Sequence, residues 1–186
     1  MTAYFESFNN LLYIIKKSRF DKLNYIIYSM DKESVYIETT IPSYLVSEKS
    51  QDVIVLSRQI LTEQWWDEQR HKYHLFISDV VFEEISSGNV KYSQQRIEII
   101  QNLEMLQINN EITEIALSYK GHFNLPDGLI RDLFHIAFCV YYNINFLLTW
   151  NCTHLANIHF IKQLKKFNEK NKLITPDIIT PDLLMD

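Results

Sequence analysis

The chain predicts an α/β domain, a three-layer α/β/α sandwich around a mainly parallel sheet, and three observations carry that reading. Short β-branched and aromatic runs alternate with longer stretches of helical periodicity, the pattern of parallel strands joined by crossover helices. The strand-like runs are compact and apolar, as strands covered on both faces are. Finally, 186 residues that are 47% hydrophobic, with 3 Gly and 4 Pro, fit a single core. No Pro-rich or Gly/Ser-rich linker, repeat or low-complexity segment interrupts it.

The elements follow in order. Residues 34–38 read as a short buried strand, and Pro42 in IPSYLV predicts a helix starting just past it. Apolar positions at helical spacing over 52–70 predict a second helix, and YHLFIS at 73–78 a second strand. Ser78 or Asp79 caps a short helix over 79–86, which Gly88-Asn89 stops. A helix near 91–102, the apolar MLQI segment at 105–108 and a helix over 111–120 ending at Gly121 come next. Pro126 opens the strongest helix, which runs to about Tyr142 with Leu129, Leu133, Ile136, Ala137 and Val140 as its apolar stripe. FLLT at 146–149 and LIT at 173–175 are predicted strands, with a lysine-rich helix between them.

Charge chemistry stands out against this frame. Glu38 in VYIETT, Glu84 in FISDVVFEEI and Asp132 in LIRDLFHIAF are carboxylates set beside apolar runs. An ionised carboxylate there is costly unless a cation or hydrogen-bond donors compensate it, so three that converge imply a bound metal. In open α/β sheets, sites form outside the carboxyl ends of the strands, where Glu38 and the TWN segment fall.

The order YIETT, SDVVFEEI, RDLFHIAF, FLLTWN resembles the four acidic-site motifs of PIN domains, the metal-dependent ribonucleases that include VapC toxins of bacterial toxin–antitoxin pairs. The match covers roughly residues 34–180. The resemblance implies a PIN-like α/β/α fold over 31–186. It implies hydrolysis of RNA phosphodiester bonds by a water activated by Mg²⁺ or Mn²⁺, with a small antitoxin protein and a second copy of the chain as partners. Carried over residue by residue, the first acid is Glu38, followed by Thr39. The second is Glu84, with Glu83 as the alternative, and the third is Asp132. The fourth falls on Asn151, after Thr149. Glu38, Glu84 and Asp132 are the implied metal ligands, Glu38 and Asp132 directly; Glu84 and Asn151 bind through waters or orient the nucleophile, and Thr39 or Thr149 positions a water. Glu38 replaces the usual Asp and Asn151 replaces a charged fourth acid. The alternative function is therefore a catalytically weakened PIN-like module that binds RNA or a protein.

Other features have ordinary readings. Asp79 and Asp127 fit helix N-terminal capping or dipole roles. His135, His154 and the pairs His71/His74 and His154/His159 lack zinc-type spacing and read as packed or surface histidines. Trp65, Trp66 and Trp150 read as packing aromatics, with base stacking as the functional counterpart. A net charge of −5 argues against polyanion binding by the whole surface, yet Lys162, Lys165, Lys166, Lys170 and Lys172 cluster. That cluster reads equally as a solvated helix face or as a phosphate-contacting patch.

Cys139 and Cys152 lack paired spacing, no apolar run approaches a membrane span and no signal-peptide pattern is present, so a cytoplasmic protein is expected. Residues 1–30 stand apart from the PIN-like region. Leu11, Leu12, Ile14, Ile15, Leu23, Ile26 and Ile27 form an amphipathic helical pattern, or the segment precedes a true start at Met30.

Overall fold

Among the described residues, five short strands run parallel in the order β3-β2-β1-β4-β5. They are β1 (Ser34–Ile37), β2 (His74–Ser78), β3 (Glu104–Leu106), β4 (Phe146–Leu148) and β5 (Asp177–Ile179). The computed structural model describes residues 32–185, so the expectations for 1–30 lie outside the described residues. β1 is central: Val35 pairs with Leu75 on one side and with Phe146 on the other. Val35, Tyr36 and Ile37 are all fully buried although successive side chains point to opposite faces, which requires cover on both.

Among the described residues, seven α-helices supply that cover: α1 (Thr40–Val46), α2 (Val53–Glu68), α3 (Asp79–Ile85), α4 (Val90–Ile100), α5 (Asn110–Phe123), α6 (Ile130–Tyr142) and α7 (Ile158–Lys170). α1 packs on α2 and α4, whereas α5 packs chiefly on α6. The chain builds the sheet outward through β2 and β3, then returns to the far side of β1 for β4. Right-handed crossovers therefore place the two helix sets on opposite faces. The reversal makes a switch point between β1 and β4, where the loops leaving the two strand ends diverge and open a crevice. No helix among the described residues is long and apolar enough to cross a membrane.

Several boundaries differ from expectation. α1 begins at Thr40, so Pro42 sits in its first turn, where a missing N–H leaves no helical bond unmade. α5 runs through Gly121 to Phe123 and ends at Asn124, whose φ of 50° lets it close the helix by donating its N–H to Lys120. Pro126 precedes a 3₁₀ turn at Asp127–Leu129, and α6 starts only at Ile130. Asp127 makes no cap and pairs with Lys120 instead. The last strand is Asp177–Ile179 rather than 173–175. Leu173 is still tied to the end of α7, donating its N–H to Asn168 O at 2.9 Å, and so cannot join a ladder.

Candidate active site

Glu38 follows the last residue of β1 and extends the ladder, its N–H donating to Leu148 O at 3.1 Å. Its side chain is buried, and Oε2 accepts three hydrogen bonds: from Thr40 N–H at 3.0 Å, Thr40 Oγ1 at 2.5 Å and Thr149 Oγ1 at 2.7 Å. Thr40 Oγ1 also accepts from Trp150 N–H at 2.8 Å, and Thr149 Oγ1 from Asn151 N–H at 2.9 Å. The turns leaving β1 and β4 are thus pinned around one carboxylate oxygen. Donors compensate the charge on that oxygen, and Oε1 accepts no hydrogen bond from the described residues.

Glu84 arrives from α3, which starts directly at the end of β2. Ser78 Oγ caps it by accepting from Val81 N–H at 3.3 Å, and Asp79 favours the positive end of the helix dipole. Asp79 also reaches across to accept from Ile108 N–H at 2.7 Å. Glu84 Oε2 accepts from Thr39 Oγ1 and lies 3.2 Å from His135 Nε2, while Oε1 lies 3.8 Å from Arg131 Nη1. Glu83, the alternative second acid, is exposed to solvent.

His135 is itself buried on α6, and its Nδ1 lies 2.9 Å from the hydroxyl of Tyr36, which is 2.6 Å from Ser78 Oγ. A continuous polar chain therefore runs Ser78, Tyr36, His135, Glu84, Thr39 through an otherwise apolar core. Burial alone would raise the Glu84 carboxyl. The hydrogen bond and charge of His135, with Thr39 and Arg131, outweigh burial and hold it below its ordinary value. Burial alone would depress His135, but its bond to Glu84 and the nearby carboxylates Glu38, Glu84 and Asp132 keep it raised. Tyr36 is held far above the ordinary phenol range, chiefly by burial, so it remains a neutral link.

Asp132 lies on the third residue of α6, in the first turn, where the helix dipole favours an acid. The sequence alone placed it mid-helix, where Asp has no such local reason. Its carboxyl is half-buried and raised, chiefly by desolvation, with the fields of Glu38 and Glu84 adding to the effect against His135 and His154. Asn151 donates its Nδ2–H to Asp132 Oδ1 at 3.1 Å and accepts from His154 N–H at 3.1 Å through Oδ1. Its amide is engaged at both ends.

The expected site residues therefore collect at one end of the sheet. Glu38, Thr39, Glu84 and Arg131 line one cleft of about 630 Å³. Asp132 lines a neighbouring cavity of about 230 Å³. Glu38, Glu84 and His135 form the group whose ligand-type atoms all lie within 4.8 Å of one another, and Asp132 stands outside that group. Both ring nitrogens of His135 already have close partners, so the donors left at the cleft are carboxylate oxygens: Glu38 Oε1, and Glu84 Oε1 at 3.8 Å from Arg131. Such a hard donor set fits Mg²⁺ or Mn²⁺, which bind through one or two carboxylates and keep several waters.

The sequence reading gave His135 a packing role and missed its place in the site. The available signal was its spacing three residues after Asp132, on an otherwise apolar face, where a buried imidazole needs polar partners. Trp150 is a packing residue: buried, it donates its Nε1–H to Thr62 Oγ1 at 2.7 Å and meets Tyr44 edge-on.

No family model matches the chain, and no curated protein matches it. Among solved structures it is similar in fold to VapBC2 from Rickettsia felis bound to a DNA fragment from their promoter, at 15% identity and a TM-score of 0.47, over 78% of this chain and 97% of that chain. It is likewise similar to VapBC-1 from nontypeable Haemophilus influenzae, at 16% identity and a TM-score of 0.48, over 80% and 98%.

Proposed function

We propose that the chain is an endoribonuclease that hydrolyses RNA phosphodiester bonds with Mg²⁺ or Mn²⁺, acting as the toxin of a toxin–antitoxin pair. The observation that carries this reading is the buried Glu38 carboxylate at the β1/β4 switch point, with one oxygen fully donated to and the other open toward a cleft shared with Glu84. The partners in this reading are a small antitoxin protein and a second copy of the chain, and both rest on the resemblance of the four motifs.

Glu38 through Oε1, which accepts no hydrogen bond from the described residues, and Glu84 through Oε1, 3.8 Å from Arg131 Nη1, would hold the cation, with the Asp132 carboxylate adding negative charge from the adjoining cavity. The cation, when bound, lowers the pKa of a coordinated water and offsets charge on the phosphate. Thr40 and Thr149 fix Glu38, while Thr39 and His135 fix Glu84, so neither acid must reorganise as charge develops. Arg131, exposed at the rim beside Glu84, would offer the phosphate a permanent positive charge.

A second reading, a weakened module that binds RNA without cutting it, is favoured by Asn151, whose amide carries no charge and is already engaged. The deciding experiment is cleavage of mixed RNA by the purified chain with Mg²⁺ or Mn²⁺, against EDTA and Asp132→Asn. Cleavage that needs both the metal and Asp132 supports the nuclease. Intact RNA under every metal, from folded chain free of antitoxin, overturns it in favour of the module.

A further inference from the structure

The cavity beside Asp132 has features that the metal chemistry does not use. Leu125, Leu129, Leu133, Leu155 and Phe160 give it apolar walls, and His154 and Gln163 stand at its edge. Among the described residues, neither the His154 ring nor the Gln163 amide has a hydrogen-bond partner. At about 230 Å³ it falls below the roughly 300–1,000 Å³ of sites that enclose a drug-sized ligand, so it suits a single ring system. Phe160 is held edge-on against Phe123 at 5.5 Å, which fixes its ring as a wall.

One wall of this cavity is the start of α7. Leu164 and Asn168 bury the inner face of that helix, and Lys162, Gln163, Lys166 and Lys170 are exposed. Lys166 and Lys170 follow Gln163 by three and seven residues, so they continue the face that begins at the cavity, rising about 4.5 and 10.5 Å along the axis. Lys165 is paired with Asp177 at 3.1 Å and lies off this face. Lys162, Lys166 and Lys170 have no acidic partner among the described residues. In a chain of net charge −5, this is a local basic row that leads directly from a ring-sized cavity.

We propose that the cavity seats one nucleobase of a single-stranded RNA and that Lys166 and Lys170 contact the phosphates of the adjacent nucleotides. The proposal rests on RNA being the ligand of the neighbouring acidic site, and it adds the direction in which the strand leaves that site. An apolar slot with an aromatic wall stacks an unpaired base, the His154 and Gln163 edge reads its polar rim, and a lysine row tracks a backbone without reading sequence. A duplex keeps its bases stacked and offers none to the slot.

The test is fluorescence-detected binding of the full chain to short single-stranded homopolymers of each of the four bases, in EDTA, across a salt series. Lys166→Ala/Lys170→Ala is expected to lower the salt slope by about 1.4 and the affinity about 25-fold near 0.1 M salt, because each phosphate contact on a single strand contributes about 0.7 to the slope. Gln163→Ala is expected to leave the slope unchanged while altering the preference among the four bases. Unchanged affinity and slope in the lysine variant, with its unfolding midpoint at the wild-type value, overturn the backbone path. Equal binding of duplex and single strand, or no RNA binding by the wild type, overturns the base slot. Binding is read without divalent metal, so failure to cleave RNA leaves this test intact, and cleavage by a lysine variant with wild-type affinity sinks the path without touching the nuclease reading.

Discussion

His135 Nε2 lies 3.2 Å from Glu84 Oε2 inside the core, and the opposite ring nitrogen lies 2.9 Å from the Tyr36 hydroxyl. The imidazole thus joins the acid on α3 to the central strand, and removing it leaves Glu84 and Tyr36 each short of a partner. His135→Ala is expected to destabilise the fold by about 2–4 kcal/mol, measured by urea unfolding, because it both opens a cavity and orphans buried polar groups.

The same pair sets a pH window for the metal-free chain. Glu84 is held below its ordinary 4.5, so its stabilising contribution is present above 4.5 and is lost as pH falls through the depressed folded value. His135 is held above its ordinary 6.5, so its contribution is full below 6.5 and is lost as pH rises through the raised folded value. Unfolding free energy in EDTA is expected to peak between these limits. In His135→Phe the alkaline decline assigned to this histidine should be absent.

Thr149→Val removes one of the three donors on Glu38 Oε2 while keeping the shape of the side chain. A loss of about 1–3 kcal/mol is expected, as for hydrogen bonds to a charged group. Thr40→Val should cost a similar amount. The double variant should depart from the sum of the two, since both donors serve one oxygen; strict additivity in a double-mutant cycle would contradict a shared role.

Divalent cation should stabilise the folded chain by mass action, about 2.7 kcal/mol at a hundredfold excess over Kd. Thermal unfolding with and without Mn²⁺ is therefore expected to show an upward shift in the wild type. In Glu38→Gln the shift should largely disappear, whatever the variant's own midpoint. A wild-type midpoint indifferent to Mn²⁺ and Mg²⁺ would argue against a metal at the Glu38–Glu84 cleft.

Much of the fold was legible along the chain because its signals are local. β1, β2 and β4 fall on apolar runs that are buried or partly buried, and the Ser78 cap of α3 sits where a hydroxyl before a helical pattern belongs. The misplaced last strand shows the limit. LIT and DII are equally apolar on paper, and the choice of 177–179 was made by Asn145 O accepting from Asp177 N–H at 2.9 Å and by the turn that ties Leu173 to α7. Gly121 likewise read as a stop, but α5 packs against α6 along its length and continues past it.

The sequence by itself determined the alternation of elements, and with it the parallel sheet, and it picked out Glu38, Glu84 and Asp132 as acids too close to apolar residues to be ordinary surface charge. Burial beside apolar neighbours is a property of a few consecutive residues, so it shows in a short window. Only the tertiary structure decided which atoms meet. Thr39 and Glu84 are 45 residues apart, Tyr36 and His135 are 99, and Glu38 and Thr149 are 111. Hydrogen bonds across such separations exist because the return of the chain to β4 sets the ends of β1, β2 and β4 side by side, and no local pattern encodes that meeting.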